Sequence, residues 1–169
     1  MINIDDGYKL NYLGYDFLAI YTLMRRGSLA KVMSQVGIGK ESDIFLCRDH
    51  TGKDMILKLA RLGRTSFKTI KNNRDYLEGR TQFNWLYLSR LATAKEYTYM
   101  QALHKEGFPT PTPVDSNRHA IIMSVINGVT LYISLKLRSK VSKLEDPEKV
   151  FHQAMDLLEK YATVILDYF

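Results

Sequence analysis

The spacing of apolar residues changes along this chain, and each change marks an element. Between residues 11 and 27, Leu13, Phe17, Ile20 and Met24 recur at three-to-four intervals, the period of one helix face. Asn11 stands where an N-cap belongs, Arg25 and Arg26 suit the C-terminus, and Gly27 ends the helix. Ahead of it, Gly-Tyr-Lys-Leu at 7–10 reads as a short strand. A lone strand and helix cannot bury that apolar face, so the segment either docks on the next part of the chain or belongs to a domain that begins elsewhere. From residue 28 to 60 the period shortens to two, giving three strands around a glycine turn. In the third strand Met55, Leu57 and Leu59 alternate with Ile56, Lys58 and Ala60, so both faces are apolar apart from one ammonium.

The helical period returns from Asn84 to His104 with Leu88, Ala92, Glu96, Tyr99 or Met100, and Leu103, and Gly107 is the stop. The prolines from Phe108 onward enforce an extended path, with a turn predicted at Ser116 and Asn117 and a strand from His119 to Val125 that ends at Asn127-Gly128. A last helix opens with Asp146 as cap and Pro147 as first residue, carrying Val150, Ala154, Leu157, Tyr161 and Ile165 on one face. Residues 61–82 break the apolar rhythm. There Arg61, Arg64, Lys68, Lys71, Arg74 and Arg80 outweigh Asp75 and Glu78, which predicts a mobile basic loop or a solvated helix, with phosphate contact as its functional reading.

The candidate chemistry lies between Gly37 and Lys58. Glycines let a backbone approach phosphate oxygens, and successive amides in a tight turn make an anion-binding concavity. A P-loop is excluded because Ser34 replaces its first glycine and Glu41 follows Lys40. A dinucleotide fingerprint is excluded because Ser42 replaces the third glycine and a strand follows instead of a helix. What remains is a glycine turn between antiparallel strands, followed by a lysine strand, as at the top of a kinase nucleotide site. A plain hairpin with a surface lysine is the alternative. A buried ammonium requires a carboxylate, and Glu96 on an apolar stripe is the candidate, the alternative being a Glu96 that snorkels at the helix edge near Lys95. At about 4 Å and an effective dielectric near 20 such a pair attracts by roughly 4 kcal/mol before desolvation is subtracted, so geometry rather than stability is its purpose. Met123-Ser124-Val125-Ile126 leads into a glycine and suits a hinge that offers main-chain groups to a flat purine.

Composition narrows the field. A chain of 169 residues, 46% hydrophobic and 25% charged, is about one globular domain, and no apolar run is long enough to span a bilayer. The N-terminus lacks a signal-peptide pattern, which predicts a cytosolic protein. The single cysteine, Cys47, sits among strand residues and is expected to be buried. His152 reads as a surface or filler residue, and no metal-ligating cluster is visible in the sequence. A net charge of +6 favours an anionic partner, nucleic acid or nucleotide.

Several stretches together resemble a RIO-family atypical serine/threonine kinase, of the subfamily with a winged-helix domain ahead of the kinase domain. Gly7 to Ala19 is similar to that subfamily's last wing strand and following helix, and Gly37-Ile38-Gly39-Lys40-Glu41-Ser42-Asp43 to its phosphate loop. Leu57-Lys58-Leu59 and Arg61-Leu62-Gly63-Arg64-Thr65-Ser66-Phe67 resemble its lysine strand and the loop peculiar to RIO kinases. Trp85 to Leu91 and Lys95-Glu96 resemble its helix C. The resemblance implies an α+β kinase-like N-lobe, an antiparallel sheet with helix C, over 28–127; a winged-helix remnant over 1–27 precedes it, and the hinge exit with the first C-lobe helix over 128–169 comes after it. It implies ATP and magnesium as cofactors. Gly37, Ile38, Gly39, Lys40, Ser42 and Lys58, with Glu96 behind the lysine, would serve the phosphates, and Met123, Ser124 and Ile126 the adenine. The implied partner is a pre-40S ribosomal particle and its RNA, in the cytoplasm with shuttling through the nucleus, and no membrane.

The chain also departs from the family pattern. Ser124 stands where the family usually has a hinge glutamate, with little expected loss because main-chain groups hold adenine there. The family's His-Gly-Asp catalytic loop and later Asp-containing metal motif are absent from these residues, and Asp167 has no His-Gly before it. The implied product is therefore a truncated or mispredicted nucleotide lobe, without catalytic or metal residues of its own. A catalytically dead basic adaptor, docking on pre-ribosomal RNA through the winged-helix remnant and the basic loop, is the alternative.

Overall fold

A computed structural model describes residues 10–62, 84–128 and 147–168. The expected short strand, apart from Leu10, the basic residues from Arg64 to Arg80, and the expected cap Asp146 lie outside the described residues. The chain divides into two units, Met1–Val125 and Ile126–Phe169. In the second, helix α3 (Pro147–Tyr168) begins at the predicted proline, and Val150, Leu157 and Tyr161 of its apolar stripe are exposed.

Among the described residues the first element of the first unit is helix α1 (Tyr12–Arg25), capped by the Asn11 side chain, which accepts from the Gly14 N–H at 2.9 Å. Strands β1 (Lys31–Ile38), β2 (Ser42–Arg48) and β3 (Asp54–Ala60) follow, then helix α2 (Trp85–Lys105) and strands β4 (Pro113–Asn117) and β5 (Ala120–Ser124). All five strands form one antiparallel sheet in the order β1-β2-β3-β5-β4. The β2–β3 turn is built by Asp49, whose carboxylate accepts from the N–H groups of Thr51 and Lys53, while Gly52 takes the left-handed φ of 87°. The β4–β5 turn corrects the expectation for Ser116 and Asn117. Both belong to β4, paired with Ile121 and Ala120, and the chain reverses at Arg118 (φ 54°) and His119. Pro113 is tolerated because β4 is an edge strand, where a missing N–H costs no ladder bond.

The period-two pattern of β3 sorts its residues as expected. Met55, Leu57 and Leu59 join Cys47, Ala120 and Ile122 in a core cluster closed by Ala19 and Leu23 of α1 and by Leu29. Each fully buried leucine here contributes roughly 2 kcal/mol. Burial pushes the Cys47 thiol up to about 12, helped by Asp49 and Asp54, so the cysteine is a core residue, as expected.

The face that α1 buries differs from the predicted one. Asp16, Ala19 and Leu23 are buried and Ile20 lies on the shoulder, whereas Leu13, Phe17 and Met24 are 59%, 63% and 43% exposed. The apolar period missed this because the docking face is set by a small residue and a charged one. Ala19 allows close approach to the sheet, and Asp16 is drawn in by a cation. That cation is Arg61, which corrects its assignment to a solvated basic segment. Its side chain is 11% exposed, forks onto Asp16 at 2.8 and 2.6 Å, and donates from Nε to Asp43 at 3.0 Å. Asp16 Oδ1 also meets His119 Nε2 at 2.8 Å. His119 is fully buried, its Nδ1 makes no hydrogen bond, and its ring lies edge-on to Trp85, which in turn stacks on Tyr12 at 4.0 Å. These contacts hold the first turns of α1 and α2 together.

Burial of the Asp16 carboxyl favours its neutral form, but hydrogen bonds from His119 and Arg61 and their charges outweigh this and hold it below the ordinary 3.8. A carboxyl whose folded pKa is depressed stabilises the fold above its unfolded pKa, and that stability is lost as pH falls through the folded value. Asp16→Asn should cost about 3 kcal/mol in urea unfolding at neutral pH, because it leaves the buried Arg61 poorly paired. The deficit should narrow as pH is lowered below 3.8. A deficit constant with pH would show that the charge on Asp16 contributes nothing.

Candidate functional site

The glycine turn lies between β1 and β2. The Gly39 N–H donates to the Ser42 carbonyl at 2.7 Å, and a Cβ on Gly39 would stand 3.2 Å from both that oxygen and the Ser42 hydroxyl. Only glycine closes this turn without displacing Ser42. Gly37 has a different reason. A Cβ there would meet Ile44 at an ordinary 3.6 Å, so the position has room and its bareness keeps a surface clear.

That surface is the sheet face opposite α1. The register aligns Gly37, Ile44, Lys58 and Ile121 in one row across β1, β2, β3 and β5, and directly opposed residues project to the same side. Lys58 is the cation of this row. Its Nζ lies 2.5 Å from Oε1 of Glu96, with side chains 25% and 38% exposed, so the pair is partly desolvated and open on one side. An ammonium has three donors, and those not directed at Glu96 can be offered to anionic oxygens.

Helix α2 supplies Glu96. It is capped by Asn84, whose side chain accepts from the Tyr87 N–H at 2.8 Å, and is seated by Leu88, Ser89 and Thr93. The Ser89 hydroxyl accepts from the buried Leu62 N–H at 3.1 Å, so the chain leaving β3 is tied to the helix. The seam differs in part from the predicted stripe. Leu88 is on it, but two hydroxyl residues that an apolar period ignores, Ser89 and Thr93, are buried beside it, while Tyr99 is exposed.

Ser42, Lys58 and Glu96 line a cavity of about 460 Å³ together with Glu41, Lys95 and Tyr99 and the apolar Ala60, Leu62 and Ala92. This volume falls in the range of roughly 300–1,000 Å³ typical of small-molecule sites. Gly37 and Gly39 belong to the same turn; Ile38 and Lys40 are exposed, and Ile38, paired with Asp43, projects to the sheet face opposite Lys58. Met123 is buried opposite Ile56, on the lysine's face of the sheet. Ser124 closes the β4–β5 end, its N–H donating to the Thr112 carbonyl at 3.0 Å and its hydroxyl accepting from the Thr112 N–H at 2.9 Å. Ile126 is exposed and belongs to the second unit. Sequence reasoning missed Glu41, Lys95 and Tyr99 as lining residues. The signal was available for the last two, since Lys95 adjoins Glu96 and Tyr99 lies one helical turn beyond it.

The model of the RIO domain matches residues 43–166. The chain belongs to the RIO family. It is 53% identical over 158 residues to the serine/threonine-protein kinase rio2 of Dictyostelium discoideum, which covers 94% of this chain and 29% of that protein. It is 45% identical to the rio2 kinase of Schizosaccharomyces pombe over 93% of this chain and 44% of the relative. The crystal structure of the Rio2 kinase-ADP/Mg2+-phosphoaspartate complex from Chaetomium thermophilum matches with a TM-score of 0.72 and 42% identity, over 93% of this chain and 44% of that one. The chain thus spans less than half the length of these relatives. The RIO resemblance and the α+β architecture with an antiparallel sheet, both expected from the sequence, are borne out by these matches. Among the described residues no group of three or more His, Cys, Asp or Glu side chains is placed to hold a metal ion, and no helix is long and apolar enough to cross a membrane.

The contact between Lys58 and Glu96 has a direct thermodynamic test. Urea unfolding of Lys58→Met, Glu96→Gln and the double variant should give a coupling of about 1 kcal/mol, the scale of a partly exposed pair. Strict additivity would show that the two side chains do not interact in solution.

Proposed function

We propose that the first unit binds ATP and that this chain is the nucleotide-binding portion of a RIO-type serine/threonine kinase. The observation that carries the proposal is the Lys58–Glu96 pair, centred on a cross-sheet row that begins at bare Gly37 and bordering a cavity beside the glycine turn. The residues fit a polyphosphate. Gly37 and Gly39 let the turn approach its oxygens, Ser42 places a hydroxyl at the cavity wall, and Lys58 brings a cation that Glu96 keeps aimed. Met123 and Ser124 stand where the adenine edge would meet main chain; because the Ser124 N–H and hydroxyl are already bonded to Thr112, its side chain adds little to that contact. The described residues offer magnesium no protein cage, so it would reach this site on the nucleotide's own phosphates. When bound, Mg-ATP supplies the transferable phosphoryl group.

Phosphoryl transfer also needs a group to orient the nucleophile, and the 169 residues contain no His-Gly-Asp sequence. In our reading this polypeptide binds ATP without turning it over. The family resemblance further supports a role in maturation of the small ribosomal subunit, with a pre-40S particle and its RNA as partners, in the cytoplasm with nuclear shuttling.

Calorimetry with Mg-ATP tests the site. Lys58→Met should weaken binding about tenfold or more in a chain that remains folded, and Gly37→Leu should do the same because its side chain would occupy the lysine's face. Equal affinity in both variants would overturn the assignment. Incubation with radiolabelled ATP should give no product above background; turnover that disappears in Asp167→Ala would show that this chain carries its own catalytic group.

A further inference from the structure

Arg61, one residue past β3, holds the glycine turn in two ways. Its main-chain N–H donates to the Glu41 carbonyl at 2.6 Å, and its Nε donates to the Asp43 carboxylate at 3.0 Å. Glu41 and Asp43 flank Ser42, whose carbonyl closes the turn by accepting from Gly39. The end of the turn is therefore fixed on both sides of its closing residue by one arginine. The other edge of the same guanidinium is committed elsewhere, forked onto Asp16 of α1 at 2.8 and 2.6 Å. Helix α1 packs on the sheet face opposite Lys58, and His119 holds the shared carboxylate in place from the β4–β5 turn. A planar guanidinium can satisfy these two carboxylates in fixed directions at once, which an ammonium cannot.

We propose that Arg61 is a positioning residue for the glycine turn and that its fork to Asp16 makes the geometry of the turn, and with it phosphate affinity, depend on the docking of α1. The phosphate part of this inference rests on the ATP-binding reading above. The coupling itself rests on the contacts alone. It also accounts for two buried carboxylates and a buried arginine in a unit this small, since such a cluster stabilises little and its worth lies in fixing one arrangement.

The test uses the full 169-residue chain with Arg61→Lys, Asp43→Asn and Asp16→Asn. Amide hydrogen exchange is read at Gly39 and Arg61, the two donors that hold the turn, and at the ladder amides of β3 and β5. Each variant should speed exchange at the turn by about tenfold or more beyond any change at the ladder amides, which in Asp16→Asn report its global cost. In parallel, ATP affinity should fall about tenfold while competition by adenosine, which lacks phosphates, is unchanged. Unchanged exchange at the turn in Arg61→Lys overturns the proposal. Uniform acceleration across turn and ladder also overturns it, because Arg61 would then be a general stabiliser. Asp43→Asn keeps the fork to Asp16 and covers the case in which Arg61→Lys does not fold. If the unaltered chain binds no ATP, the nucleotide reading fails, and the exchange data still decide whether α1 and the turn are coupled.

Discussion

An ammonium set within an apolar strand constrains everything around it. Lys58 cannot be left unpaired against Ile44 and Ile121, so the fold must bring a carboxylate to it from another element. Glu96 can do this only if α2 is held at a fixed height and rotation against the sheet. The Asn84 cap, the buried Leu88 and the Ser89 hydroxyl on the Leu62 amide provide that restraint. The pair is partly exposed, so its contribution to stability is modest. Its consequence is directional, because the cation is aimed along one face toward a turn that carries no side chains at Gly37 and Gly39.

Strand β3 divides the molecule into two chemistries. Residues 55, 57 and 59 face α1 and make a dry core, whereas 56, 58 and 60 face the site, and the period-two alternation keeps the two apart. This division lets the lysine face hold charge and a cavity without costing the core its packing. Helix α1 is then part of the unit's stability, since a sheet with one uncovered face would expose Leu57, Leu59 and Ile122.

Much of this was legible in the sequence because it follows from period and from electrostatic necessity. Alternation placed Lys58 on an otherwise apolar strand, helical spacing placed Glu96 on an apolar stripe, and the cost of an unpaired charge joined them across 38 positions. What escaped was set by residues that a hydrophobic pattern does not weigh. Asp16 and Ala19 fixed the rotation of α1, Ser89 and Thr93 sharpened the seam of α2, and Arg118 displaced the last turn by adopting a left-handed conformation unusual outside glycine. Arg61 was the largest miss. Surrounded in sequence by basic residues, it reads as the start of a solvated run, and only the docking of α1 beside β2 brings Asp16 and Asp43 together on it.

The positions of the two cations carry a further consequence. Lys58 and Arg61 lie three residues apart, on the strand and just beyond its end, yet they serve opposite faces of the sheet. Lys58 is left partly open to solvent, as suits a group that must exchange one anionic partner for another. Arg61 is enclosed, with its side chain and main-chain N–H committed to Asp16, Asp43 and Glu41, as suits a group that must not move. The glycine turn lies between these demands, flexible by composition and anchored at one end. Because the anchor is an ionic cluster shared with α1, a shift of that helix would be felt at the turn as well as in the apolar core that Ala19 and Leu23 help to close. The charge-assisted hydrogen bonds of a planar guanidinium hold fixed directions, so a rotation of α1 would be passed through Arg61 to Asp43 and the turn.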